Sequence, residues 1–248
     1  MRFAYNSDIG KRRLTNQDRA CVLVNDCGQL FGIVCDGMGG HLAGEHAADM
    51  AINIMCQSFM ENTYFSNEEQ GIAWIVQTIE KANQQIYEDS LLHAEHEGMG
   101  TTMVAVLFMN DSMIIAHVGD SRAYLYDGSS LLQLTKDHTY VNLLVESGSI
   151  NKEQAKVHPQ KNILMKAVGV FKELVVSHQI VPRSQGILCL CSDGLYNCLE
   201  ENEMTEILVQ PLSLEEKVML MIQSANDHGG TDNISVVLIE DEGGAGHE

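Results

Sequence analysis

Strand-like runs dominate this chain, and the order in which helices interrupt them limits what it can fold into. By β-branched content and alternation, strands are predicted over 19–25, 30–35, 101–109, 112–118, 123–126, 174–180, 187–191 and 234–239. Two long helices are predicted back to back, over 41–60 and 68–93. In the second, Ile72, Ile75, Val76, Ile79 and Ala82 recur at helical spacing. Shorter helices fit 140–147 and 214–226. A doubly wound parallel sheet needs strand and helix to alternate strictly. This order points instead to mostly antiparallel sheets with helices packed outside. Only three prolines occur, and no Ser/Gly/Pro-rich linker divides the 248 residues. One domain over 1–242 is expected, with a weakly periodic flap at 148–161 and a small polar tail at 243–248.

Within those strands a local pattern repeats. Apolar runs end on Asp36, Asp120 and Asp193, and Asp232 stands just ahead of the last run. Aspartate is depleted inside strands, and any one of these alone reads as a turn residue. Four together read differently. If the strand ends meet at one edge of the sheets, the carboxylates repel one another unless cations sit among them. Oxygen-only ligands select Mg²⁺ or Mn²⁺ over zinc or copper. Glycine follows both Asp36 and Asp193, which leaves a backbone carbonyl open to a metal or a water.

Charge and cysteine usage exclude several alternatives. Lys and Arg total 15 against 34 Asp and Glu, a formal charge of −19. A nucleic-acid binder needs a basic footprint, and none is visible. Seven cysteines, odd in number and without a CxxC pair, make neither a disulfide framework nor a zinc ribbon. No apolar run approaches a membrane span, and residues 1–10 lack the apolar stretch of a signal peptide, so the cytoplasm is the expected compartment. His41, Glu45 and His46 match no zinc-protease spacing, and His93 with His96 reads as a solvated helix end.

The motifs form an ordered series. It starts with Arg13-Leu-Thr-Asn16-Gln17-Asp18 and Asp36-Gly-Met-Gly-Gly-His41. Gly100-Thr101-Thr102, Val118-Gly-Asp120-Ser-Arg122 and Leu134-Thr-Lys-Asp137-His138 follow. His158-Pro-Gln-Lys-Asn162, Ser192-Asp193-Gly194 and Gly230-Thr-Asp232-Asn233 close it. The series resembles the metal-dependent protein phosphatases of type 2C in their compact bacterial form. That resemblance implies an α+β fold: a four-layer αββα sandwich, two antiparallel sheets flanked by helices. It implies two or three Mn²⁺ or Mg²⁺ ions in a cleft at one end. Asp36 would bridge two of them, the Gly37 carbonyl would serve the first, and Asp193 and Asp232 the second. Asp120 with Asp193 matches a third site. Asp18 would orient metal-bound water, and Arg13 would clamp phosphate.

The activity so implied is hydrolysis of phosphoserine and phosphothreonine by a metal-bridging hydroxide. The implied partners are phosphorylated proteins, with a Ser/Thr kinase and its substrates, and a monomer is expected. Two other readings stay open: a phosphoesterase for a small phosphorylated molecule, and a non-catalytic phosphoprotein-binding module. Two residues depart from the family pattern. Met38 stands where eukaryotic relatives carry a proton-donating His, and Lys161 stands where bacterial relatives carry Arg.

Overall fold

A computed structural model describes residues 1–40, 42–62 and 64–241. Its elements run β1 (Arg2–Asp8), β2 (Asp18–Val24), β3 (Leu30–Met38), α1 (Ala43–Glu61), α2 (Glu68–Leu92), β4 (Gly100–Thr101), β5 (Met103–Phe108) and β6 (Ser112–Val118). Then come β7 (Arg122–Tyr126), β8 (Leu131–Gln133), α3 (Tyr140–Glu146), α4 (Lys152–Lys156), β9 (Ser177–Pro182) and β10 (Gly186–Cys191). The last are α5 (Asp193–Tyr196), α6 (Glu201–Leu208), α7 (Leu214–Asp227) and β11 (Ile234–Asp241). A 3-10 turn at Ala94–His96 follows α2.

One sheet has the order β1-β11-β10-β7-β8 and the other β2-β3-β5-β6-β9, with β4 on the end of β3. All these pairings are antiparallel. The sheets face each other through Val34, Val104, Val106, Ile115, Leu188, Leu190, Val237 and Ile239. Successive side chains of a strand point to opposite faces, so the central strands bury both. On β3, Phe31, Ile33 and Cys35 turn outward to meet Ala47, Ala51 and Met55 of α1 and Ile75 and Ile79 of α2. On β10 and β11, Cys189, Cys191, Val236 and Leu238 turn outward to meet Met204 of α6 and Met221 of α7. Each such fully buried aliphatic side chain contributes about 1.5–3 kcal/mol. The four expected layers are thus present.

Local chemistry sets the element ends. Asn67 accepts the Gln70 N–H to start α2. Ser213 and Glu216 cap α7 reciprocally, as Asn151 and Gln154 cap α4. The small residues Ala47, Ala48 and Ala51 are all fully buried and let α1 lie close against β3.

Several boundaries differ from the sequence expectation. The run 101–109 is two strands, because Thr102 leaves the ladder to bond Asp36: its N–H donates to the Asp36 carbonyl at 2.8 Å, and its Oγ1 accepts the Asp36 N–H at 3.2 Å. The run 174–180 pairs only from Ser177. Val176 is buried against the helix-side core without strand pairing, so its apolar character marks packing, not a ladder. The segment 148–161 holds a short helix, α4, and none of its residues is buried. Strands β1 and β8 and helices α5 and α6 were not expected. The helix expected from residue 41 begins at Ala43, and His41 and the tail 243–248 lie outside the described residues. Among the described residues, no helix is long and apolar enough to cross a membrane.

Candidate metal centre

The predicted acids come from both sheets and meet at one end of the sandwich. Asp18 opens β2 and faces Asp36 across the β2–β3 ladder. In the other sheet, β10 ends at Cys191, and Ser192 leads into α5, whose first residue is Asp193. Asp193 was expected at a strand end and stands instead on the first turn of a helix. Asp232 lies just ahead of β11, and Asp120 in the turn between β6 and β7. Ser192 links the sheets: its Oγ donates to Asp18 Oδ2 at 2.6 Å and accepts the Ser235 N–H at 2.9 Å.

The loop between β1 and β2 carries Arg13 into this edge. The Asn233 side chain fixes it, accepting the Gln17 N–H at 2.8 Å and donating to the carbonyls of Ile9 and Thr15 at 2.9 Å each. Arg13 Nη2 then reaches Asp232 Oδ2 at 2.6 Å. Gly37 is wedged between this loop and α1. Its N–H donates to the Gln17 carbonyl at 3.1 Å, and a Cβ at this position would lie 2.1 Å from the Gly44 carbonyl oxygen.

Burial, with crowding of like charge, sets the electrostatics of this edge. Burial, and then Asp18, Asp193, Asp120 and Asp232 in turn, push the Asp36 carboxyl well above the usual range. Burial pushes Asp18 up to about 7, against hydrogen bonds from Ser192 and Ser235. Burial with Asp193 nearby takes Asp120 to about 7. Burial and Asp232 take Asp193 to about 6, with Arg13, Arg122 and a hydrogen bond to Asp36 acting the other way. Proteins do not hold several close carboxylates without compensation. Asp18 Oδ1 is buried with no hydrogen-bond partner, and buried polar atoms in that state call for a water or an ion.

Divalent cations answer both observations. The donors are all hard oxygens, the set that suits Mg²⁺ or Mn²⁺. Among the described residues, no three of these carboxylates offer oxygens within 4.8 Å of one another. The acids are therefore not gathered around a single point, and a pair of divalent ions is a chemistry that such an oxygen set can hold. Asp36, Asp193, Asp232 and Asp120 could hold such ions.

The structure also assigns places to residues that the motifs contained without a role. Thr102 Oγ1 lies 2.6 Å from Ser121 Oγ, which ties the Asp36 backbone to the turn carrying Asp120. Tyr196 donates its hydroxyl to the Asp120 carbonyl at 3.0 Å. The Arg122 guanidinium lies 3.5 Å over the Tyr196 ring and is bound by Asp137 at 2.7 Å. His138 accepts the Gly119 N–H on Nδ1 at 3.1 Å. Burial, then the stacked His117, push His138 down to about 4, so it is a neutral brace for that turn. Of these, Thr102, Ser121, Arg122 and His138 lie in the motifs, with Ser121 and His138 next to an aspartate, whereas Tyr196 has no sequence signal.

Known proteins match this arrangement along nearly the whole chain. The protein phosphatase 2C family matches residues 10–235. The serine/threonine phosphatase stp of Listeria welshimeri is 42% identical over 245 residues, 97% of this chain and 96% of that protein. The crystal structure of the serine/threonine phosphatase Stp1 from Staphylococcus aureus superposes with a TM-score of 0.92 at 35% identity, covering 97% of this chain and 95% of that one. The catalytic domain of the serine/threonine protein phosphatase PstP, in complex with two manganese ions, gives 0.85 at 30% identity, covering 96% and 97%. On the match over 10–235 and the 42% identity, this chain belongs to the protein phosphatase 2C family.

Proposed function

We propose that the chain is a metal-dependent phosphatase that removes phosphate from phosphoserine and phosphothreonine in proteins. The observation that carries this is the cluster of Asp18, Asp36, Asp120, Asp193 and Asp232, with Arg13 bound to Asp232, in a chain similar to PstP, whose catalytic domain is described in complex with two manganese ions. Asp36 stands at the centre of the acids and would be shared by both ions, with Gly37 beside the first and Asp193 and Asp232 on the second. Asp120 with Asp193 would hold a third. When bound, the ions supply Lewis acidity and a water acidic enough to ionise near neutral pH. Asp18, fixed by Ser192, keeps its free Oδ1 to hold and orient a water.

Arg13 is half-exposed and already anchored on Asp232. A planar guanidinium can keep that anchor and present its other N–H groups to two phosphate oxygens. Met38 has no proton to give, so a side chain at that position does not protonate the leaving alcohol. The exposed segment 148–161 would serve as a flap, carrying Lys161 towards substrate. A Ser/Thr kinase acting on the same proteins is the natural counterpart of this activity. A single chain supplies every residue of the proposed centre, consistent with a monomer.

EDTA is expected to abolish p-nitrophenyl phosphate hydrolysis, and Mn²⁺ to restore it. Turnover that persists in EDTA would reject the reading. Phosphopeptides assayed beside small phosphorylated metabolites test the substrate class, and a preference for the metabolites would overturn it. For Arg13→Ala, KM should rise about tenfold with a smaller loss in kcat, since one charge-assisted phosphate contact disappears. Because the variant also frees Asp232, its Mn²⁺ requirement should not increase. An unchanged KM would remove Arg13 from the clamp.

A further inference from the structure

Outside the aspartate centre, three histidines converge on one carboxylate. His46 belongs to α1, Asp89 to the last turns of α2, and His96 to the 3-10 turn beyond it. His96 Nδ1 is hydrogen-bonded to Asp89 Oδ1, and His46 Nε2 lies 3.6 Å from the same oxygen. The His46 and His96 rings stack with centroids 4.3 Å apart and 27° between their planes. His93 places Nδ1 3.4 Å from the other carboxylate oxygen. One ligand atom from each of His46, Asp89 and His96 lies within 4.8 Å of the others. All three residues are half-buried.

Protons satisfy this arrangement poorly. Two stacked imidazoles facing one oxygen cannot both be cations without repelling each other. If both are neutral, both rings turn a nitrogen to the same carboxylate oxygen, and His96 reaches it in a hydrogen bond while His46 stays 3.6 Å away. One divalent cation replaces both protons, takes a lone pair from each ring and binds the carboxylate as well. Two imidazoles and a carboxylate suit zinc-class transition metals and not Mg²⁺. Tetrahedral ligands about 2.1 Å from zinc lie about 3.4 Å apart, so small rotations of these half-exposed side chains close the site.

We propose that His46, Asp89 and His96 form a second metal site, for a zinc-class ion, with His93 orienting the carboxylate through its second oxygen. The ion ties the end of α2 and the 3-10 turn to α1. It also acts near the phosphatase centre. Met99, just past the turn, lies against Gly39, where an added Cβ would come 3.3 Å from Met99 Cα. Occupancy braces the chain at Gly39, three residues beyond Asp36.

The test titrates Co²⁺ and Zn²⁺ into the wild-type protein with excess Mg²⁺ protecting the aspartate centre. One Co²⁺ per chain with the intense visible bands of a low-coordinate site is expected, together with a rise in melting temperature on adding Zn²⁺. In His46→Gln/His96→Gln both signals should vanish, with Zn²⁺ affinity down at least tenfold, while Mn²⁺-dependent hydrolysis of p-nitrophenyl phosphate persists and shows that the fold is intact. His96→Gln alone serves if the double variant does not fold. The same Co²⁺ spectrum and Zn²⁺ shift in the variants, or no such binding to the wild type, overturns the proposal.

Discussion

Asp36→Asn should lower kcat by on the order of a thousandfold, about 4 kcal/mol of barrier, and yet melt at a higher temperature than the wild type in EDTA. Both outcomes follow from the position of Asp36 among the acids. Burial, and then four neighbouring carboxylates, raise its pKa, so in the metal-free protein it is a source of strain. Asparagine keeps the shape and removes the charge. Relief of that repulsion is worth roughly 1–2 kcal/mol, a few degrees for a chain of this size. The same charge is what a cation needs, so the variant should gain less from added Mn²⁺.

The pH dependence in EDTA has a definite sign. Asp18 and Asp120 titrate near 7 and Asp193 near 6 in the folded state, against about 3.8 unfolded. Folding therefore takes up protons between about pH 4 and 7, and the stability these groups contribute at low pH is lost as pH rises through that window. Asp36→Asn should flatten this loss, because it removes one of the mutually repelling charges. Thermal melts in EDTA at pH 5 and pH 7 measure it. A variant that melts below the wild type at pH 7 would sink the account of crowding.

Gly37→Ala is expected to destabilise the protein by about 3 kcal/mol and to remove most of its activity, whereas Gly40→Ala, three residues on, should stay within about 0.5 kcal/mol of the wild type. The added Cβ at Gly37 would lie 2.1 Å from the Gly44 carbonyl oxygen and 2.7 Å from that of Gln17. Both obstacles are backbone, one at the start of α1 and one in the loop that carries Arg13. Neither can turn aside as a flexible side chain does, so α1, the loop or Asp36 itself must shift. At Gly40 no heavy atom comes within 4 Å of the corresponding position. Urea midpoints of the two variants, with kcat at saturating Mn²⁺, make the comparison. Equal stability of the two would show that the α1–β3 junction has slack. Gly194 is confined in the same way, its Cβ position 1.9 Å from the Asn233 carbonyl oxygen, so both Asp-Gly pairs are glycine for close packing.

The strands that bury both faces were legible because they are mostly apolar. Residues 112–118 and 234–239 are broken only by Ser112, His117 and Ser235, and β6 and β11 lie within the sheets as expected. The edges were not. In β1 only Ala4 is fully buried, and the strand pairs with β11 alone in its sheet, so its sequence carries too little apolar pattern to announce it. Helix α5 was missed because Ser192-Asp193-Gly194 reads equally as a turn, and it spans only four residues, with Gly194 packed on Asn233.

By itself the sequence singled out the aspartates that the fold brings together. Aspartate at the end of an apolar strand is costly enough to be seen locally, and the motifs around Asp36, Asp120, Asp193 and Asp232 name the family. Only the tertiary structure decided that those acids meet at one end of the sandwich, and that Ser192 and Asn233 fix the parts. It alone brought His46 to Asp89 and His96, residues that look solvated one by one. The physical reason is range: propensity and burial act on neighbours along the chain, whereas a carboxylate's pKa or an imidazole's partner depends on groups that only the packing of the layers brings within a few ångströms.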